Sequence, residues 1–368
     1  MKDFFSEIVE CLQRRDPVVL ATIVSSDGSS PLPTGAMMLV KSGDAGIVGS
    51  VGGGLLEALV IEEAKKYFEG VRQPHIGRFD LNGDVSNEGM ICGGNVDVLL
   101  EPIVSQDLTT FNALLKLRND GSDAILLRTL DNSGNVQRFL FSSKQESLPE
   151  ALRIFGGTEL DKMKEILHRS FGQEDVRRFK TDVGEIIIQP IKGVPNLVIF
   201  GGGHVSKYLA QVASVAGFST TVIDDRDEFA DPERFPGAAR VFATEYEHAF
   251  AKIEVKPSSY IVIVTRGHSS DEQVLEKAVR THAKYIGMIG SKRKVIATFE
   301  NLALKGVPLD DLRRVHAPIG LDIGAITAEE IGVSIVSELI RVRRQFTGPS
   351  LSISDHVADW FDKKRSLA

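Results

Sequence analysis

The strongest constraint on this chain is the order of residues between Leu197 and Asp225. Leu197-Val198-Ile199-Phe200 is a short apolar run of the kind found in a strand buried on both faces, and Gly201-Gly202-Gly203 follows it at once. A helix is predicted over 204–216, then a second strand, Thr220-Thr221-Val222-Ile223, which ends in the acidic pair Asp224-Asp225. Strand, glycine turn, helix and strand in that order make a right-handed βαβ unit with parallel strands. Gly201 permits the tight turn, and Gly203 lets a backbone approach a pyrophosphate. The helix N-terminus at His204 favours an anion. An acid at the end of the second strand, here Asp224 with Asp225 beside it, is where an adenosine ribose is held. Ser206 replaces the third small residue of the pattern and is itself small enough for close helix–strand packing. NAD(P) is therefore a candidate ligand, with Arg226 leaving NAD against NADP open; the plain alternative is that the glycines only turn the chain.

The same alternation continues. Val241-Phe242 and Tyr260–Val264 read as strands, 271–283 as a helix, and Tyr285–Ile289 as another strand. Thr327 and Glu330 form a capping-box pattern. It opens a last helix whose Ile331, Ile335, Val336, Leu339 and Ile340 share one face. This half is expected to be an α/β, Rossmann-like doubly wound parallel sheet. The first half differs. Phe4, Phe5, Ile8, Val9 and Leu12 follow a helical period, with Cys11 as a small core residue of that helix. Strands are predicted over 18–24, 36–40 and 95–101 and a helix over 55–68, while 105–180 alternates less clearly. This part is expected to be α+β.

A chain of 368 residues exceeds what one hydrophobic core usually serves. With Ile191–Pro195 read as a linker, the domains are expected at 1–190 and 191–368. The net charge of −7 does not suggest nucleic-acid or membrane binding. No run of about 18 apolar residues suggests a membrane span, and no secretory pattern follows Met1-Lys2-Asp3. The two cysteines, Cys11 and Cys92, make no disulfide framework, so a cytoplasmic location is expected.

Several loops should gather at the carboxyl edge of the parallel sheet, where open α/β sheets bind ligands. They carry His204, Arg266 and His268, then Ser291, Lys292 and Arg293, and finally His316 and Asp322. Arg266, Lys292 and Arg293 suit a phosphate or another phosphorylated anion. The histidines with Asp322 suit an acid–base or metal site, or simply cap loops. Close metal-ligand spacings are absent, and no metal is expected. In the first half, Cys92-Gly93-Gly94 places a thiol in a glycine-rich loop, where backbone N–H groups can make it a nucleophile or a soft ligand; an inert buried cysteine is the ordinary alternative. Gly28-Ser29-Ser30-Pro31 with Thr34-Gly35 could hold a polar ligand or be a surface turn.

Taken together, these stretches resemble the XdhC/CoxI family. The matching phrases are GSSPLPTGAMMLV (28–40), GSVGGG (49–54), GMICGGNVDVLLEP (89–102), GGGHV (201–205), DDR (224–226), TRGH (265–268), YIGMIGSKRK (285–294) and HAPIGLDIGAITAEEI (316–331). One departure is Leu32, where the family commonly has a basic residue. The resemblance implies an accessory protein that binds molybdenum cofactor, supports its sulfuration and delivers it to a xanthine-dehydrogenase-type molybdenum hydroxylase. It implies the apo-hydroxylase and a cysteine desulfurase as partners, and a homodimer. Carried over to this sequence, Cys92 is the candidate for cofactor contact, while Gly201, Gly203 and Asp224 match the nucleotide fingerprint. An NAD(P)-dependent oxidoreductase and a non-binding scaffold are the alternatives.

Overall fold

The structure is a computed structural model that describes residues 3–28, 32–43, 46–70, 73–81, 94–142, 157–182 and 184–347. Cys92 and Gly93, singled out above, lie outside the described residues. The chain forms two compact units, Met1–Val194 and Pro195–Ala368.

In the first unit, α1 (Phe4–Arg14) buries Phe5, Ile8, Val9, Cys11 and Leu12, and the Asp3 carboxylate caps its start by accepting from the Phe5 N–H. Next come β1 (Val18–Gly28), β2 (Met37–Lys41), β3 (Ile47–Gly49), α2 (Gly54–Phe68), β4 (His75–Asp80) and β5 (Gly94–Ile103). The five strands pair antiparallel in the order β3-β2-β1-β5-β4. The ambiguous stretch then resolves into α3 (Leu108–Asn119), β6 (Ala124–Asp131), β7 (Val136–Ser142), α4 (Gly157–Ser170), β8 (Arg177–Thr181) and β9 (Gly184–Ile191). Their strands form a second antiparallel sheet, β7-β6-β9-β8.

A buried ionic network joins the two sheets. Arg128 of β6 is fully buried and donates to Glu101 of β5 at 2.8 Å, to Thr22 of β1 at 3.1 Å and to Gln189 of β9. Arg138 of β7 reaches the other Glu101 oxygen at 2.9 Å and Asp107 at 2.8 Å. Burial by itself would raise the Glu101 carboxyl; the guanidiniums of Arg138 and Arg128 outweigh it and hold the group below the ordinary carboxylate value.

The second unit contains β10 (Asn196–Phe200), α5 (His204–Val215), β11 (Ser219–Asp224), β12 (Arg240–Ala243), α6 (Tyr246–Ala249), β13 (Tyr260–Ile263), α7 (His268–Ala278), β14 (Tyr285–Met288), α8 (Lys292–Leu304), α9 (Leu309–Arg313), β15 (Val315–His316) and α10 (Ala328–Arg344). All six strands are parallel in the order β12-β11-β10-β13-β14-β15. Numbered within the unit this is 3-2-1-4-5-6, the Rossmann order. Apolar clusters pack the two faces, one around Phe200, Ile261 and Leu302, the other around Ile199, Leu209 and Leu339. Helix α7 starts three residues before the expected 271 and ends at Ala278. Its end is set by Thr281, whose hydroxyl and backbone N–H both donate to the Ala278 carbonyl, at 2.7 and 3.0 Å. Helix α10 opens with the expected capping box, Glu330 N–H donating to the Thr327 hydroxyl and Thr327 N–H to the Glu330 carboxylate. No described helix is long and apolar enough to cross a membrane.

Replacing Glu101 with Ala leaves the fully buried Arg128 guanidinium with no carboxylate, while Arg138 keeps Asp107. The expected loss is about 3–5 kcal/mol, measured as the shift of a urea melt; a shift below about 1 kcal/mol would mean that water reaches the network.

Candidate functional site

The strand order reverses between β10 and β13, and the loops leaving these two strands meet there. Gly201 sits at φ 107° and donates to the Ile223 carbonyl at 2.7 Å. A side chain at Gly201 would collide with the Val264 carbonyl, and one at Gly202 with the Phe229 carbonyl. These two glycines are therefore required by packing. Gly203 is different: its backbone is extended, and no atom lies within 4 Å of where a Cβ would stand. No side chain caps α5 at this position, and His204, its first residue, is exposed. The first N–H groups of a 12-residue helix thus border open space beside Gly203.

Asp224 is fully buried. It accepts from the Gly202 N–H at 2.7 Å, the Arg226 N–H at 3.0 Å, and Arg226 Nε and Nη2 at 2.9 and 3.1 Å. Burial would raise this carboxyl, but the Arg226 and Gly202 donors outweigh it and hold it below its ordinary value. Arg226 also lies 3.5 Å from the centre of the Phe229 ring, with Arg234 4.6 Å from the same ring and donating to the Gly202 carbonyl. As found, both Asp224 oxygens are engaged and offer nothing to a ribose hydroxyl while Arg226 stays in place, whereas the neighbouring Asp225 keeps its Oδ1 buried without a hydrogen-bond partner. Asp225 pairs with Arg266 at 3.1 Å, joining the loop after β11 to the loop after β13.

Two further buried acids hold the neighbouring loops. Asp271 of α7 accepts from the Thr265 N–H at 3.1 Å and the Thr265 hydroxyl at 2.5 Å, and pairs with Lys294 of α8. This fixes the segment carrying Arg266 and His268 against the start of α8. There, Ser291 caps the helix by accepting from the Lys294 N–H, and Lys292 and Arg293 are exposed. The first turn of α8 contains no acidic residue, so exposed cations stand at the positive end of a helix dipole, an arrangement that an anion relieves. Glu338 of α10 accepts from the Tyr285 hydroxyl at 2.6 Å and the Gly320 N–H at 2.9 Å, with His316 Nδ1 at 3.4 Å. His316 stacks on Tyr285, and Asp322 is exposed. Burial would raise Glu338; hydrogen bonds from His316, Tyr285 and Gly320 overcome it and lower the carboxyl to about 2.

Of the residues expected from sequence, Gly201, Gly202 and Asp224 form one bonded unit, and Asp225 meets Arg266. No hydrogen bond or ion pair joins His204, His268 or Asp322 to the rest of the set among the described residues. Nor do the described residues gather any group of three His, Cys, Asp or Glu able to hold a metal. Gly94 lies in the other unit, paired with Gly28 at the ends of β5 and β1. Sequence reasoning missed Phe229, Arg234, Asp271, Lys294 and Glu338. A readable signal existed for Glu338, which occupies the apolar face Ile331, Ile335, Leu339 at helical spacing.

Residues 197–339 match the XdhC Rossmann domain, and residues 11–80 match the XdhC and CoxI family, together more than half of the chain. The chain belongs to the XdhC/CoxI family. This XdhC/CoxI protein is 25% identical over 358 residues to YqeB of Escherichia coli (strain K12), of whose length it spans about half, 49%. It is 26% identical over 348 residues to a probable xanthine dehydrogenase subunit of Bacillus subtilis (strain 168), covering 94% of this chain and 99% of that protein. The molybdenum cofactor insertion chaperone PaoD of E. coli (strain K12) is 21% identical over 335 residues, 91% of this chain and 86% of PaoD. Among solved structures, a xanthine dehydrogenase from Bacillus halodurans superposes with a TM-score of 0.74 at 26% identity, over 95% of this chain and 98% of that one.

Two outcomes are expected of the XdhC Rossmann unit. Gly202→Ala should destabilise it by about 2 kcal/mol or more, whereas Gly203→Ala should leave its melting temperature within about 1 °C; equal losses would contradict the packing difference. Because the Glu338 carboxyl is depressed in the folded state, the stability it contributes is complete above its ordinary value of 4.5 and is lost as pH falls towards about 2. Glu338→Gln should flatten the acid limb of a stability–pH curve in that window.

Proposed function

We propose that this protein binds molybdenum cofactor, supports its sulfuration and delivers it to a xanthine-dehydrogenase-type molybdenum hydroxylase. The observation that carries the reading is the contrast at the glycine loop. Space is open beside Gly203, while both Asp224 oxygens are taken by Arg226 and the Gly202 N–H. Molybdopterin carries a phosphate and no ribose, so such a loop can read its phosphate without needing a free Asp224. The helix N-terminus at His204 and the cations Arg266, Lys292 and Arg293 are the groups that would meet that charge. Cys92 is, by the family resemblance, a separate candidate for cofactor contact through a soft thiolate. When bound, the cofactor supplies the molybdenum centre that a client hydroxylase needs; this chain's part is to hold, shield and release it. The name of PaoD, an insertion chaperone for this cofactor, favours the same role. We further place the protein in the cytoplasm as a homodimer, with the apo-hydroxylase and a cysteine desulfurase as partners.

The Rossmann order of the second unit favours one other reading, an NAD(P)-dependent oxidoreductase. Anaerobic binding of molybdenum cofactor, with NAD and NADP as competitors, separates the two. Wild type is expected to retain the cofactor, and both Gly203→Ala and Cys92→Ala to retain it about tenfold less well without loss of fold by circular dichroism. NAD and NADP should compete only weakly, and Arg226→Ala should increase their affinity. Tight NAD(P) binding by wild type with no cofactor retained would transfer the assignment to the oxidoreductase.

A further inference from the structure

A groove of about 450 Å³ lies in the first unit, where β1 and β8 run alongside each other, and nothing in the Rossmann site uses it. Its wall carries Ser25 and Ser26 of β1, Thr34 ahead of β2, Arg78 of β4 and Lys180 of β8. The strand register explains the gathering. Asp97 of β5 stands opposite Ser25 on one side and Arg78 on the other, so all three share a row across the sheet.

The floor is rigid and electrically settled. Arg178 of β8 donates to Asp97 at 2.6 Å and pairs with Glu185, which commits its guanidinium to two carboxylates. The mouth is not settled. Lys180 is exposed and makes no ion pair among the described residues. Arg78 reaches Asp27 at 3.2 Å and Asp97 at 3.9 Å, but its side chain is 59% exposed and that of Asp27 70%, so water screens these pairs and the guanidinium can turn to another partner. Among the described residues, the Ser25 and Ser26 hydroxyls have no hydrogen-bond partner, and Thr34 uses its hydroxyl oxygen only to accept from the Val176 N–H at 3.4 Å.

The groove therefore presents an ammonium, a guanidinium and three hydroxyls as donors; of its two carboxylates, Asp97 is bound by Arg178, and Asp27 stands at the exposed mouth, paired with Arg78. A ligand that fits must bring several acceptor oxygens and negative charge. We propose that this groove is an anion site for a phosphate group, either free phosphate or the phosphate monoester of a small molecule, with Lys180 and Arg78 as its charged donors. It is separate from the glycine loop and does not depend on the cofactor reading.

The test is amide hydrogen exchange on the full chain, with inorganic phosphate and glycerol 3-phosphate as probes and sodium chloride at matched ionic strength as control. Peptides spanning residues 24–27 and 177–181 should gain protection with either phosphate compound and not with chloride. Stronger protection by glycerol 3-phosphate would identify a monoester as the ligand, and stronger protection by phosphate the free ion. Lys180→Glu, at an exposed position that should not disturb folding, should weaken the protection constant about tenfold, and Arg78→Gln should weaken it in the same direction. Absence of protection in wild type, or equal protection in wild type and Lys180→Glu, overturns the proposal.

Discussion

A carboxylate withdrawn from water must be met by donors, and the loops of this protein are arranged around that requirement. Asp224 is the clearest case. With no exposure to solvent, it draws in the Gly202 N–H and three groups of Arg226, and so fixes the turn between β10 and α5. The same demand recurs nearby. Asp271 ties the loop after β13 to α8 through Thr265 and Lys294, and Glu338 ties the loop after β15 to β14 through Gly320 and Tyr285. Leaving any of these acids short of donors costs more than an ordinary surface contact returns, so each loop has one favourable position. Groups meant to meet a ligand can then sit on loops that do not have to be ordered on binding.

The first unit uses the same principle to join sheets instead of loops. Glu101 of β5 is shared by Arg128 of β6 and Arg138 of β7, and Arg128 also reaches Thr22 of β1 and Gln189 of β9, so strands of both sheets are tied through one set of charges. Such a network is directional where apolar packing is not. A slipped register of β6 against β9 would move Arg128 to the opposite face of its sheet and take it away from Glu101.

The parallel half was highly legible because its signals are local. Apolar runs such as Tyr260–Ile263, glycines directly after Phe200, and the Thr327–Glu330 capping box each depend on residues close in sequence. The stretch 105–180 was poorly legible because its two hairpins, β6-β7 and β8-β9, are joined by the distant pairing of β6 with β9 and carry charges into the core. Arg128 interrupts an apolar run and Arg138 follows Gln137 at the polar start of β7, so neither looks like a core residue until Glu101 is placed beside it. At the candidate site, the cations of the carboxyl-edge loops and the glycine turn could be picked out in advance. The supports, Phe229, Arg234, Asp271 and Lys294, could not, since each acts through a contact with another loop.

The sequence by itself determined the βαβ alternation of the second unit, the placing of Gly201–Gly203 at a strand-to-helix turn, and the presence of an acid at the end of the next strand. Local steric and hydrophobic rules suffice for these. Only the tertiary structure decided what that acid does. A residue type and its position in a motif do not say which donors lie within reach, and here Arg226, folded back and held against Phe229, takes the oxygens that a ribose would use. The hydroxyl-lined groove of the first unit was equally hidden, because Ser25, Arg78 and Lys180 lie far apart in the chain and become neighbours only when β1, β4 and β8 take their places.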